Sequence, residues 1–338
     1  MQFLQIVGVN KPVARIALGT AWFTPDRKEN AFSILDEYIH AGGNFFDTAR
    51  IYGAYTSEDV FSEWLAKHKS ERERFVILTK GCHHKKTEDE EDPKHCRVTP
   101  SHIKKDLDES LKHLGLDYVD IFLLHRDDPS VPVGPLMDAL EAERVAHRIH
   151  AYGVSNWTYE RILEANKYCE SKHYQGITVN SPSFSLAEVT EPVYPTTTYY
   201  TPAQLLQFKT MPSVTIVAWS SQAQGFFSEE QVEREEQHIV KMSEAAVRAY
   251  HTPANEARRR RAAEVAAACE PPASSASVAL AYVLTQPVPV CAVVGVSSHT
   301  HLHSALAALT LHLSASDVEY LLTGTRPSHT PLSQTLTQ

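Results

Sequence analysis

Eight short apolar runs punctuate the chain: RIALGT (15–20), NFFDT (44–48), FVILTK (75–80), VDIFLLH (119–125), HAYGVS (150–155), GITVNS (176–181), VTIVAWS (214–220) and VCAVVGV (290–296). They show little period-two alternation, as expected of strands buried on both faces in a parallel sheet. Helical segments lie between most of them. In TPSHIKKDLDESLKHLGL, Thr99 is the expected cap and Pro100 fits the first turn. Ile103, Leu107, Leu111 and Leu114 then form one face, and Gly115 ends it. SEDVFSEWLAKHK carries a Val60, Phe61, Trp64, Leu65 stripe behind Ser57, the expected cap. This order predicts one (β/α)8 TIM barrel, a single domain over residues 1–338, with long rim loops at 81–99 and 185–202. An open doubly wound sheet is the competing architecture. It favours a glycine-rich dinucleotide turn after an early strand, and no GxGxxG is found among only 13 glycines.

A barrel gathers its function at the C-terminal ends of its strands. Three runs end there on polar residues, Asp47, Lys80 and His125, and NFFDTARIYG adds Tyr52 from the loop after the second. A free phenol has a pKa of about 10, too high for a good acid at neutral pH, and an adjacent ammonium favours its ionisation. A carboxylate would hold that ammonium, and an imidazole would orient a substrate carbonyl. Each residue alone has a plain structural reading as a turn, a solvated side chain or a bonded core histidine. Their coincidence at successive strand ends points to a proton donor beside a polarised C=O.

These residues resemble the aldo-keto reductases. DTARIYG matches that family's D-T-A-x-x-Y-G signature, and LTKG and LLH supply its lysine and histidine. The resemblance implies a catalytic tetrad of Asp47, Tyr52, Lys80 and His125. It also implies a nicotinamide cofactor, NADPH with NADH possible, and a small-molecule aldehyde or ketone as substrate. SNW (155–157) looks like the segment that bonds the nicotinamide carboxamide through Ser155 and Asn156, with Asn180 and Ser181 beside it. In AWSSQAQGFF (218–227), Trp219 takes the place of the aromatic that stacks on the nicotinamide ring. Ser220, Gln222, Gln224 and Gly225 follow along the pyrophosphate loop. VVGVSSHTHL (293–302) resembles the adenosine-phosphate segment, with Gly295, Ser297, Ser298 and His301; Thr20 completes the cofactor set. Many members place a basic residue in that last segment, then Arg or Gln, Glu and Asn further along, where this chain has Gly295, His301, Ser304 and Ala305.

The rim loops offer Trp22, Phe23, Tyr55, Trp157, Phe184 and Phe226 as pocket aromatics, each with packing under a loop as its plain alternative. Arg126 and Asp128, directly after His125, fit either a hydroxylated substrate or a local ion pair. The stretch CHHKKTEDEEDPKHC invites a zinc reading, but it lacks the two close ligand pairs of structural zinc sites, so no metal is expected. The RRRR run (258–261) reads as an exposed helix face.

A net charge of −9 gives no electrostatic footprint for nucleic acid or an anionic membrane. No apolar run nears the ~20 residues of a membrane span, and neither end carries a targeting signal. Five scattered cysteines fit a reducing, cytoplasmic setting. The leading reading is an NAD(P)H-dependent carbonyl reductase. A regulatory or binding protein that keeps the barrel with little turnover stays open. A metal-dependent hydrolase lacks the strand-end ligands it needs.

Overall fold

The computed structural model describes residues 1–84, 97–228 and 242–326. A short antiparallel pair, β1 (Phe3–Leu4) and β2 (Val13–Ala14), comes first. Eight parallel strands follow: β3 (Ile16–Gly19), β4 (Phe45–Asp47), β5 (Val76–Gly81), β6 (Val119–Leu124), β7 (Ile149–Ser155), β8 (Val179–Ser181), β9 (Thr215–Ala218) and β10 (Val290–Val294). They close into a barrel in the order β10-β3-β4-β5-β6-β7-β8-β9, so each of the eight apolar runs holds one strand. The β1–β2 pair escapes sequence reading because two-residue strands show no period. Ile6, Val9, Val13 and Ala14 bury in one apolar cluster with Ala17, Phe45, Val76 and Ile121, and so form the floor of the barrel.

Side chains alternate across a strand, and this alternation aims the site. Phe45, Val76, Leu78, Ile121, Leu123, Ala151, Val179 and Val217 share the interior cluster. Their even-step neighbours toward the C-terminal rim are Asp47, Lys80, His125, Ser155, Ser181 and Trp219. The odd-step residues, such as Phe46, Ile77, Phe122, Tyr152 and Ala218, pack outward against the helices.

The barrel interior leaves no room at one rung. A Cβ added at Gly153 on β7 would sit 2.1 Å from the Val179 carbonyl oxygen of β8. Gly153→Ala must therefore force these paired strands apart, and overpacking of this kind costs about 1–3 kcal/mol or more. The expected result is a lower urea midpoint at unchanged m-value; an unchanged midpoint would contradict it.

The helices that flank the rim are α1 (Lys28–His40), α2 (Tyr52–Tyr55), α3 (Ser57–Lys67), α4 (Pro100–Leu114), α5 (Val133–Val145), α6 (Tyr159–Lys172) and α7 (Pro202–Leu206). α4 starts and stops as its sequence predicts: Thr99 Oγ1 accepts from His102 N at 3.3 Å, and Gly115 is left-handed at φ 65°. α3 differs. Ser57 lies inside the helix, and its hydroxyl donates to the Thr20 carbonyl at 2.8 Å instead of capping. Burial of Ser57 under β3 outweighs the cap that local sequence favours.

At the floor, Asp120 is fully buried. It receives Lys11 Nζ at 2.8 Å, Arg72 Nη1 at 3.0 Å and the Ile77 amide at 2.9 Å. Burial alone would raise its pKa, but His150, Arg72 and Lys11 together hold its carboxyl below the usual range.

Most of the 81–99 loop and residues 229–241 lie outside the described residues. The charged region resumes with helices Glu244–Tyr250 and Pro253–Ala267. The arginine run there is not a simple exposed face. Arg258 pairs with Glu188 at 3.0 Å, Arg259 with Glu256 at 2.7 Å, and Arg261 donates to the Leu321 carbonyl at 2.9 Å, leaving Arg260 exposed. No described helix is long and apolar enough to cross a membrane.

Candidate active site

Lys80 stands at the end of β5, and its ammonium has three close partners. It donates to Asp47 Oδ2 at 2.7 Å, the Thr48 carbonyl at 3.1 Å and Tyr52 Oη at 3.0 Å. Its three protons match three acceptors, which fixes the head group without water. Burial alone would lower its pKa, but Asp47 and Tyr52 outweigh burial and hold it above the ordinary value.

Tyr52 enters this cluster through an unusual turn. Gly53, Ala54 and Tyr55 are all left-handed, at φ 57°, 52° and 71°. A Cβ on Gly53 would lie 2.5 Å from the Phe23 carbonyl oxygen, so glycine is required there. Two non-glycine residues in this region carry strain that the surroundings must offset. The turn places the phenol over Lys80, whose Nζ is 4.7 Å from the ring centroid. Burial raises the phenol's pKa, Lys80 lowers it and Asp47 raises it again; the net position is above the ordinary value. The adjacent ammonium thus offsets burial only in part. The free-standing expectation of a lowered pKa omits that desolvation.

His125 continues the ladder of β6, its amide donating to the Gly81 carbonyl at 2.8 Å. Its ring meets Tyr52 nearly edge-on, with centroids 5.7 Å apart. Burial lowers its pKa well below the ordinary value, and the nearby His83, Arg126, Lys80 and His84 add to the fall. It is a neutral imidazole at physiological pH. His83 packs against it at 4.8 Å between centroids, and His84 is buried alongside. Sequence reading met these two only as zinc candidates. Their signal was position: they follow Lys80 by three and four residues, on the same strand exit. Of the other suggested zinc ligands, His95 and Cys96 lie outside the described residues. Among the described residues no group of three is arranged to hold a metal.

A second network adjoins the first. Asn156 Nδ2 donates to the His125 carbonyl at 3.2 Å and to Ser155 Oγ at 3.0 Å, while its Oδ1 accepts from Trp219 Nε1 at 3.2 Å. Ser155 donates to the Ser181 carbonyl at 2.7 Å, and Ser181 to that of Val217 at 2.7 Å. Trp219 is half-buried, with Tyr199 edge-on at 5.6 Å. Beyond it the backbone turns tightly, with Ser220, Ala223, Gln224 and Gly225 at φ 48°, 49°, 54° and 88°. Gln222 and Gly225 are half-buried in this turn, and Gln224 is exposed. Such turns present successive N–H groups in one direction, as anion-binding nests do. Across the rim, Ser298 caps the helix His299–Ala307, and Ser297 Oγ lies 3.2 Å from His301 Nδ1. Gly295 is exposed, and a Cβ there would lie 3.3 Å from the Trp22 indole nitrogen.

Other expected site residues are turned elsewhere. Asn180 is an odd-step residue of β8 and donates to Tyr200 Oη at 3.1 Å, outside the barrel interior. The Thr20 hydroxyl bonds Thr48 at 2.9 Å and Ser57 at 2.8 Å. Ser304 is held by Ser274 at 2.8 Å. Trp157 is fully buried; its Nε1 donates to the Arg126 carbonyl at 3.2 Å and Arg161 covers its ring. Phe23, Phe184 and Phe226 are buried too, so the plain packing alternative describes all four. Trp22 and Tyr55 are exposed, at 61% and 41%. Arg126 is buried and its Nη1 donates to the His125 carbonyl at 3.0 Å, whereas Asp128 closes a local turn by accepting from Ser130 N at 2.9 Å.

A profile of the aldo/keto reductase family matches residues 15–322. The chain is similar to the "Uncharacterized oxidoreductase YrpG" of Bacillus subtilis, 26% identical over 320 residues, covering 93% of this chain and 92% of that one. It is 30% identical over 146 residues to the "Aryl-alcohol dehydrogenase [NADP(+)]" of Phanerodontia chrysosporium, covering 42% of this chain and 38% of that one. In fold it matches the crystal structure of the thermostable aldo-keto reductase Tm1743 with a TM-score of 0.68 at 23% identity, over 95% of this chain and 99% of the other. With a barrel, a buried Lys–Asp–Tyr cluster at its C-terminal mouth and a profile match over most of its length, this chain belongs to the aldo/keto reductase family and is an NAD(P)H-dependent oxidoreductase.

Proposed function

We propose that the protein reduces a small aldehyde or ketone with NADPH, Tyr52 giving the proton and Lys80, Asp47 and His125 assisting. One observation carries this reading: Lys80 Nζ bonds Asp47 Oδ2 at 2.7 Å and Tyr52 Oη at 3.0 Å at once. A reduced nicotinamide held by the rim residues would supply the hydride. Tyr52 protonates the oxygen that becomes the alcohol, and the phenolate left behind rests against the Lys80 ammonium. Asp47 keeps that ammonium charged and in place. His125, neutral, donates its N–H to the carbonyl oxygen as negative charge develops there.

The residues present fit a dinucleotide. Ser155, Asn156 and Ser181 are suited to the carboxamide, and the face of Trp219 to the ring. The nest at Ser220, Gln222, Gln224 and Gly225 suits the pyrophosphate. The adenosine end falls to Gly295, Ser297, Ser298 and His301 at a helix N-terminus, where anions are favoured. Thr20 and Asn180 shape the walls through Ser57 and Tyr200. Similarity to an aryl-alcohol dehydrogenase described as NADP(+)-dependent supports NADPH as the donor. Trp22 and Tyr55 stand at the substrate entrance, with Arg126 deeper and Asp128 and Trp157 supporting the loops. A cytoplasmic setting accords with the described cysteines, none of which is joined in a disulfide.

Titration of intrinsic fluorescence with NADPH and NADH separately tests the reading. Both should bind, NADPH more tightly by less than about tenfold, because serines and a histidine replace the Lys or Arg that best hold a phosphate. Absence of binding by either nucleotide would overturn the function.

A further inference from the structure

The long loop after β8 comes back to the barrel mouth. Ser183, two residues past that strand, bridges Trp219 on one side and Tyr199 on the other. Its amide donates to the Thr198 carbonyl at 3.0 Å, and the Tyr200 amide donates to the Ser183 carbonyl at 2.9 Å. Residues 193–200 thus form a strap that continues the barrel's backbone ladder past the rim. The strap is also tied to the exit of β5, where Thr196 Oγ1 lies 2.9 Å from His84 Nε2.

Thr198 grips Asn156 twice across 42 residues of sequence. Its Oγ1 donates to the Asn156 carbonyl at 2.8 Å, and its N–H donates to Asn156 Oδ1 at 3.2 Å. Asn156 is buried and left-handed, at φ 64°. A side-chain amide has two N–H donors and an oxygen with two lone pairs. In Asn156 all four are used: the oxygen accepts from Trp219 Nε1 and Thr198 N, and the nitrogen donates to the His125 carbonyl and Ser155 Oγ. Both partners of the oxygen are N–H groups, which only donate. Turning the amide over would set its NH2 against two donors and its oxygen against a carbonyl. One orientation alone keeps these bonds, and leaving buried polar groups without them is costly. The strap supplies one of the two donors that impose it, and the hydroxyl of Thr198 holds the backbone from which the amide hangs.

We propose that Thr198 is a positioning residue for the nicotinamide, acting through Asn156. The inference rests on the reductase reading, in which Asn156 faces the carboxamide and Trp219 the ring. A site ordered in advance binds more tightly, because the cost of ordering it is not met at the moment of binding. The coupling is reciprocal: a nucleotide that gains affinity from the strap must steady the strap by the same factor.

Thr198→Val keeps the shape and the backbone N–H but removes the hydroxyl, whereas Thr198→Ser retains it. The Kd for NADPH, read by fluorescence titration, should rise about threefold to tenfold in Thr198→Val, the range of one hydrogen bond. Thr198→Ser should stay within about twofold of the parent. KM for the nucleotide should follow Kd, while kcat at saturating nucleotide changes by less than about twofold. In an Asn156→Ala background Thr198→Val should add nothing to Kd, since the amide to be positioned is gone. A lowered urea midpoint with unchanged Kd, or full additivity in the double variant, would overturn the role. A further measurement needs no variant: hydrogen exchange at the Thr198 amide should slow by a similar factor when NADPH saturates the parent. Unchanged or faster exchange overturns the inference even where Thr198→Val fails to fold. A parent that binds neither NADPH nor NADH would sink the reductase reading and this inference together. A parent that binds, matched by Thr198→Val, sinks this inference alone.

Discussion

Tyr52→Phe should lower kcat for carbonyl reduction by about 10²–10⁴-fold, the range that a positioned general acid contributes. The substitution removes one hydroxyl and leaves Lys80 bonded to Asp47 and to the Thr48 carbonyl, so the rim keeps its shape. Nucleotide affinity should therefore change by less than about threefold, well under the 1.4 kcal/mol that a tenfold change represents. The pH dependence follows from the raised pKa of the phenol. Reduction needs the protonated form, which is full below the folded pKa and lost above it. With that pKa above about 10, the rate of reduction stays level through neutral pH and falls only in strong alkali. Oxidation of the alcohol needs the phenolate and climbs over the same alkaline range. A Tyr52→Phe protein that turns over within threefold of the parent would remove Tyr52 from its role.

Asp120→Asn should cost about 3–5 kcal/mol of folding stability, the penalty for breaking a buried ion pair and leaving its partners uncompensated. The partners are Lys11 and Arg72, both only 13% exposed, and the Ile77 amide also loses its charged acceptor. The effect lies at the opposite end of the barrel from the chemistry, so kcat of the folded variant should stay near that of the parent. The sign with pH is fixed by the depressed folded pKa. The contribution is complete above the unfolded value of about 3.9 and disappears as pH falls through the lower folded one. The stability gap between parent and variant, read from urea denaturation, should therefore be wide at pH 7 and close in acid. A gap below about 1 kcal/mol at pH 7 would mean that the cluster is not coupled as its distances suggest.

The strands were legible because burial on both faces leaves a continuous apolar run, and each of the eight had one. The long helix α4 was legible because Thr99, Pro100 and Gly115 act locally. The cap expected of Ser57 failed because a neighbour 37 residues away, Thr20, offered its hydroxyl a buried acceptor. Asp47, Tyr52, Lys80 and His125 were legible as a set because each closes or follows an apolar run. The direction of the Tyr52 pKa was not, since desolvation depends on everything that surrounds the phenol. Asn180 looked like its neighbour Ser181, yet one step along a strand reverses the side chain. His83 escaped because the chain bends at Cys82, whose φ of 61° and bond to Asp106 no local pattern announces.

The alternation that aims the rim side chains also sets where a connection can be long. Lys80 owes its heading to the count from Val76, and His125 to the count from Ile121; each count is finished before the connection begins. Segments of any length and composition can be spliced in after Gly81 without rotating either group. A single residue gained inside β5 would point the ammonium at the helices. A long charged passage can thus lie between Lys80 and His125 while the four residues before each keep their register.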